Sequence, residues 1–544
     1  MSGKDSPRAA YAVLASALIA LLLFAPSLGN GLAYDDESIV GMDPRVQSLA
    51  YVPEIFTRGY WSGDEELALY RPLTTLSFAV DWSIGHGEPA WFHFTNVLLH
   101  AAATALVALL LVRFVPPVAA LAGGLVFAVH PVHVEAIANV VGRAEIIATI
   151  FVLGACLLWL ALAAEGPWRH CRTAGVAALF ALGLLSKESA VMLPPLLLLL
   201  DAGRGELRWQ NARDYVRQNA LAFLLFALAI AGFIAVRAAV LGGVTPARVD
   251  AAFEVADTGG ARVFTALQAW PVHLRLLFFP RELLADYGPR ILMPAQGLTR
   301  VNALGLVLLL SCVVGGPIAF LGGHRVAGLA LLWFPVALFP VSNLVVPIGV
   351  IVAERTLYLP SVALALGVAA AAAVVAGTAR AHAPLRVAGA ILLVLLAGRS
   401  LARIPEWTST DRILGALVRD RPESFRGQWY FARIARNAGD TTAALQRYAY
   451  ALELWPYRHR LVLETAAYAA ETGRLPVARD VAQHAVRRWP DDVAAWRILA
   501  ATTLDLGDTV RARAALDAGL HAAPRDDILL RMRAALDSTG TGSR

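Results

Sequence analysis

Hydrophobic residues in this chain fall in long, nearly unbroken runs separated by short polar stretches, the pattern of helices that cross a membrane. The first run extends from about Ala9 to Leu28. Others cover residues 91–112, 118–138, 145–164, 173–185, 190–200, 219–241, 302–321, 326–346, 358–378 and 386–402. Since about 20 apolar residues span a bilayer as a helix, the pattern predicts about eleven spans, two of them short. The short pair is separated by Ser186-Lys187-Glu188-Ser189. Arg169, His170 and Arg172 precede it, and Arg204, Arg208, Arg213 and Arg217 follow it. Basic loops collect on the cytoplasmic side, so two basic flanks make the pair a hairpin with residues 186–189 at its outer tip. The first run follows Lys4 and Arg8, and no small-x-small cleavage site precedes Asp35. It reads as an uncleaved first span.

Past residue 404 the pattern changes to amphipathic helices rich in Ala, Arg and Leu. Pro422, Pro456, Pro490 and Pro524 recur with one spacing, and Gly439, Gly473 and Gly507 with the same one. That spacing of about 34 residues is the tetratricopeptide period. Small residues stand where paired helices must approach closely: Ala432, Ala444 and Ala451, then Ala466, Ala478 and Ala485, then Ala500, Ala512 and Gly519. The expected fold is all-α, with a polytopic membrane bundle over 1–403 and an α-solenoid of repeats over 404–544. Loop parity places the N-terminus inside, loop 30–90 outside, and the connections at His324-Arg325 and at Arg380, His382 and Arg386 inside. An odd number of spans leaves the repeats outside, in the periplasm of a multi-pass inner-membrane protein. Residues 242–300 form a second outer loop, in which 269–279, interrupted by Pro271, His273 and Arg275, suits an interfacial helix.

Composition agrees. The chain has 544 residues, of which 16% are charged, against about 25% in ordinary soluble domains, and its mean hydropathy is +0.58. A net charge of +6 would point to nucleic acid in a soluble chain. Here the basic residues lie largely in short loops, where they report orientation, and no nucleic-acid partner is expected. Cys156, Cys171 and Cys312 have neither metal spacing nor a disulfide framework.

Ionisable groups at membrane depth usually line a cavity or a substrate path. Here they gather at the outer ends of the spans. Tyr34-Asp35-Asp36-Glu37 follows the first run, in a loop that also carries Asp43, Glu54, Asp64, Glu65 and Glu66. Such acids serve equally as a solvated loop, as helix caps, or as a site. Arg71, His93 with Asn96 and His100 on one helix face, His130, His133, Glu135, Arg143, Lys187, Glu354, Arg355 and Tyr358 complete the set. Interhelical hydrogen bonding is the ordinary role of residues such as His93. His130 and His133 stand at a metal-ligand spacing that Pro131 disturbs. Arg143, Lys187 and Arg355 at one depth suit an anion, and at a bilayer surface that anion is a lipid phosphate.

The motifs occur in an order that resembles the transmembrane-and-tetratricopeptide (TMTC-type) O-mannosyltransferases of the GT-C glycosyltransferase superfamily. The residues carrying it are Tyr34-Asp35-Asp36, Tyr70-Arg71-Pro72-Leu73, His93-Phe94-Thr95-Asn96, His130-Pro131-Val132-His133-Val134-Glu135, Gly142-Arg143-Ala144-Glu145, Ser186-Lys187-Glu188 and Glu354-Arg355-Thr356-Leu357-Tyr358, followed by the repeats. The resemblance implies a polyprenyl-phosphate sugar donor, mannose, and transfer to a hydroxyl of an acceptor protein or glycan on the outer side. Lys187, Arg355 and Arg143 would hold the donor phosphate. Asp35 or Asp36 would be the general base of an inverting transfer. Arg71, His93, His130, His133, Glu135, Glu354 and Tyr358 would line the substrate pocket. No cofactor is assigned, and metal-independent chemistry is favoured over use of a divalent cation. The repeats would hold the acceptor or a protein partner. The alternatives are a non-catalytic membrane-anchored scaffold for envelope assembly, and a lipid-linked-sugar transporter, although the paired internal repeats common in transporters are not evident.

Overall fold

The computed structural model describes residues 7–61, 69–161, 169–207, 209–243, 251–256, 258–376 and 382–540. Lys4, Asp64, Glu65, Glu66, Arg208 and Arg380, used above, lie outside that set. Among the described residues every regular element is helical. Among the described residues six helices are long and apolar enough to cross a membrane: Pro7–Gly29, Pro89–Leu111, Val140–Leu160, Ala220–Leu241, Arg300–Leu321 and Ala383–Thr408. Pro117–Val129 and Pro131–Ala138, bent by 46°, add a seventh if taken as one broken span. Arg325–Val341 and Val362–Ala376 are shorter apolar helices.

The expected count of about eleven is therefore not reached by length and hydropathy. The predicted hairpin forms helices Arg169–Ser186 and Leu193–Arg204. Arg169, His170 and Arg172 dilute the first, and the second has only 12 residues. The break between them falls at Lys187, whose backbone is extended (φ −160°, ψ 143°). The stretch expected to be interfacial belongs to one 20-residue helix, Gly259–Phe278, started by a Thr258 hydroxyl that caps Ala261 N–H.

Small residues set the packing of the bundle. A Cβ on Gly123 would lie 2.4 Å from Ala365 O, and one on Gly124 would lie 2.5 Å from Ser16 Oγ. Helices Pro7–Phe24, Pro117–Val129 and Val362–Ala376 thus meet with little more than backbone between them, the usual device where lipid offers no hydrophobic drive between helices. The bend after Val129 has a local cause. Pro131 cannot continue the ladder of N–H donors, and His130 Nδ1 instead accepts from Val132 N–H at 3.2 Å.

The chain divides into two compact units, Met1–Tyr287 with Pro294–Ala416, and Gly288–Met293 with Leu417–Arg544. In the second, helix pairs Phe425–Asn437/Thr441–Leu454, His459–Glu471/Leu475–Arg488 and Val493–Asp505/Thr509–Ala522 repeat, and Asp527–Gly540 follows. Gly439, Gly473 and Gly507 take φ of 77°, 75° and 78°, the left-handed turn that ends a helix most cheaply with glycine. Ala432, Ala466 and Ala500, and their counterparts Ala444, Ala478 and Ala512, are fully buried.

Candidate active site

The acidic motif folds into a wall and a working face one residue apart. Tyr34 sits in the left-handed region at φ 58°, costly for a non-glycine residue, and its N–H is held by Thr410 Oγ1 at 2.8 Å. Asp36 is fully buried. Its Oδ2 accepts from Ala33 N–H (3.2 Å) and Val140 N–H (3.0 Å), and its Oδ1 accepts from Val141 N–H (2.8 Å). Burial pushes the Asp36 carboxyl up to about 7 although the three N–H groups oppose it, and the nearby Asp35 charge adds to the rise. Asp35 is half-buried, with 22% of its side chain exposed, and its Oδ2 lies 3.6 Å from Arg355 Nη2. Glu37 is turned outward, and its carboxylate accepts from the Thr410 hydroxyl.

From Asp35 a run of alternating charges extends across the end of the bundle. Arg355 Nη1 donates to Glu135 Oε1 at 2.6 Å, and Arg355 N–H donates to Glu135 Oε2 at 2.9 Å. Burial works against the Arg355 charge. Glu135, then Asp35, more than offset that and raise its pKa. Lys187, extended at the hairpin break, pairs with Glu145. Burial pushes its ammonium down, Glu145 opposes, and the charges of Arg71 and Arg355 push it further down. Glu188 accepts from Arg71 Nη2 at 3.0 Å and from Arg237 Nη1 at 3.3 Å. Among the described residues, Arg71, Lys187 and Arg237 pair with Glu145 and Glu188 around the hairpin tip, and Arg355 pairs with Asp35 and Glu135 beside it.

The remaining predicted residues form the wall. Arg143 is completely buried. It donates to Asn96 Oδ1 (2.6 Å), Ser77 O (3.1 Å), Phe92 O (2.8 Å) and Asp81 Oδ2 (2.5 Å), so its guanidinium serves four protein partners. His93 Nε2 faces Gly31 O at 3.1 Å. His130 Nε2 faces Leu277 O at 2.9 Å, and His133 Nε2 faces Ser361 Oγ at 2.8 Å. Tyr358 OH lies 2.7 Å from His100 Nδ1. Glu354 is buried, and its Oε1 accepts from Leu284 N–H at 2.5 Å and Tyr287 OH at 2.8 Å. Burial pushes the Glu354 carboxyl up to about 7, with Arg403 opposing and Glu135 adding. No three His, Cys, Asp or Glu side chains converge as metal ligands among the described residues.

The fold thus gathers Asp35, Glu135, Lys187, Arg71 and Arg355 at one place, and sets Asp36, Arg143 and the histidines behind them as bonded support. Sequence reasoning missed Arg237, although it is the one charged residue in helix Ala220–Leu241, a signal in itself. It also missed Asp81, the partner of Arg143, and Tyr60, a buried ring under the Arg71 guanidinium at 5.3 Å. Neither carries a local signal.

The family described as "Dolichyl-phosphate-mannose-protein mannosyltransferase" matches residues 83–231, which include the loop from His130 to Arg143 and the hairpin tip. Protein O-mannosyl-transferase F38B6.6 of Caenorhabditis elegans is 25% identical over 448 residues, covering 80% of this chain and 62% of that protein. Protein O-mannosyl-transferase TMTC4 of Homo sapiens is 26% identical over 491 residues, covering 80% and 66%. Protein O-mannosyl-transferase Tmtc2 of Drosophila melanogaster is 32% identical over 287 residues, covering 50% and 30%. The chain therefore spans just under two thirds of the length of the first two. The resemblance to TMTC-type O-mannosyl-transferases, and through them to GT-C-type glycosyltransferases, is shown. Yeast Tom70 aligns over 87% of this chain and 92% of its own at 11% identity, with a TM-score of 0.23, too low to carry an argument.

Proposed function

We propose that this chain is a membrane glycosyltransferase that moves mannose from a polyprenyl-phosphate carrier to a Ser or Thr hydroxyl of an acceptor protein, at the periplasmic face of an inner membrane. The observation that carries the reading is the contrast between Asp35 and Asp36. Asp35 keeps an exposed edge beside Arg355, whereas both oxygens of Asp36 are committed to backbone N–H groups. Asp35 is thus the general base. It takes the proton of the acceptor hydroxyl as the acceptor oxygen bonds to the sugar's C1 and the C1–O bond to the carrier phosphate breaks, inverting the anomeric centre in one displacement. Two electrons of the broken bond leave on the phosphate. Lys187 and Arg355, with Arg71 beside them, supply the positive charge that stabilises it, so the transfer needs no cofactor. Arg143, Asp36 and the buried histidines hold the loops that carry these groups. The repeats recruit the acceptor protein or a protein partner. The relatives described above are named protein O-mannosyl-transferases, which supports mannose as the sugar and protein as the acceptor.

The test is transfer from labelled polyprenyl-phosphate-mannose to an acceptor peptide by the purified chain, with EDTA present. Asp35→Asn is expected to lose about 10²- to 10⁴-fold in rate while keeping the wild-type melting temperature. Full rate in this variant would sink the base assignment. Absence of transfer by the wild type, together with an unchanged cellular role for Asp35→Asn and Lys187→Met, would favour a scaffold.

A further inference from the structure

Tyr60, in the loop ahead of helix Pro72–Gly85, is 3% exposed, yet its hydroxyl meets no hydrogen-bond partner among the described residues. A buried polar group without a partner is costly and rare, and the fold holds this one firmly. The buried pair Asp43–Arg45 fixes its main chain, Arg45 Nη1 donating to Gly59 O at 2.7 Å and Nη2 to Tyr60 O at 3.3 Å. Tyr60 N–H donates to Leu69 O at 2.6 Å. The ring packs in an apolar cluster with Phe78, Phe92 and Val140, and the Arg71 guanidinium lies over it at 5.3 Å, a cation–π distance. The hydroxyl falls within the field of the site, since the charges of Arg71, Asp35, Asp36 and Arg355 all act on it. Burial pushes its pKa up, so it stays a neutral group that both donates and accepts. Such a group matches a sugar hydroxyl, which also does both, better than the phosphate, which Lys187, Arg355 and Arg71 serve. It stands near both ends of the displacement, Asp35 on the acceptor's side and Arg71 and Arg355 on the phosphate's. The sugar must lie between those ends, because its C1 is joined to each in turn. We infer that the Tyr60 hydroxyl hydrogen-bonds a hydroxyl of the sugar carried on the lipid phosphate, and so is a specificity-determining contact of the transfer. The inference rests on the donor and the base proposed above and deepens that reading by assigning a residue to the sugar itself.

Binding without an acceptor tests the contact apart from the reaction. The full chain in lipid nanodiscs is titrated with polyprenyl-phosphate-mannose, with the bare polyprenyl phosphate and with the matching polyprenol, and occupancy is read by native mass spectrometry. The wild type is expected to prefer the mannosyl lipid over the bare phosphate, and either over the polyprenol. Tyr60→Phe removes the hydroxyl and keeps the ring. It is expected to lose about three- to tenfold in preference for the mannosyl lipid, with binding of the bare phosphate unchanged. Because the hydroxyl has no protein partner to lose, the empty variant is expected to melt no lower than the wild type. A lower melting temperature would show a structural bond and overturn the inference. If the wild type prefers the mannosyl lipid and Tyr60→Phe keeps the full preference, or weakens both phosphate lipids alike, the sugar contact is refuted and the donor reading stands. If the wild type binds neither phosphate lipid better than the polyprenol, the donor reading falls and the contact with it.

Discussion

The charged end of the membrane unit and the repeat array solve the same problem by opposite means. Both bring backbones close, and both need polar groups satisfied. The membrane unit does so with single, non-repeating bonds: one Asp36 for three N–H groups, one Arg143 for four partner residues. The repeats use one solution three times, with Ala at each crossing and Gly at each turn. Loss of one element in an array of like units is shared by neighbours, because each repeat touches only the next. Loss of one buried charge in the membrane unit has no substitute. The lesson is that tolerance to change follows redundancy, and the site is built where there is none.

Substitutions can break or sharpen this contrast. Arg143→Leu leaves Asp81 buried without its partner, and a loss of about 3–5 kcal/mol in stability is expected, read as the midpoint of thermal unfolding in detergent. A fold that survives intact would show that Arg143 is not the keystone argued above. Asp36→Ala removes the acceptor of three N–H groups and is expected to cost about 2–4 kcal/mol. Next comes the same substitution at two glycines. A Cβ on Gly142 would meet Ala136 Cα and O, both at 2.6 Å, and Gly142→Ala is expected to cost about 1–3 kcal/mol by overpacking. Gly473→Ala finds open space and is expected to cost only about 1 kcal/mol, through its left-handed backbone. Equal costs at the two sites would erase the contrast.

The smallest effect is that of pH. Asp36 titrates near 7 in the folded chain and near its ordinary 3.8 when unfolded. Between those values the folded state holds a proton that the unfolded state has released, so this group's contribution to stability falls as pH rises through the window and is level above it. Glu354, also near 7, acts with the same sign. Wild-type melting temperature is expected to decline between pH 5 and about 7.5, and Asp36→Asn/Glu354→Gln to flatten that decline. An unchanged slope in the double variant would remove both groups from the account.

Legibility followed the same divide. The repeats were plain in the sequence because Pro422, Pro456 and Pro490 mark a period that any reader can count. The helical bundle was legible as apolar runs, but not the length at which each run qualifies as a span, because Arg169, His170 and Arg172 weaken one and Leu193–Arg204 is short. The site residues could be named from their motifs, yet their division into wall and working face could not. Asp35 and Asp36 are chemically identical and adjacent. Only the fold puts Val140 and Val141 N–H within reach of one of them. Arg143 looked like a phosphate ligand until its partners Asp81 and Asn96, distant in sequence, came into view.

The bonds that Val140 and Val141 N–H, in the turn before helix Arg143–Leu160, donate to Asp36 also bear on how variants of this chain are to be scored. Under the mechanism proposed above, a survey that counts only product formed would rank Asp35 and Asp36 side by side, the first silent for want of a base and the second for want of a folded loop. Normalising each variant to the amount of folded protein recovered separates them. At adjacent positions, the yield of the purification is as informative as the assay.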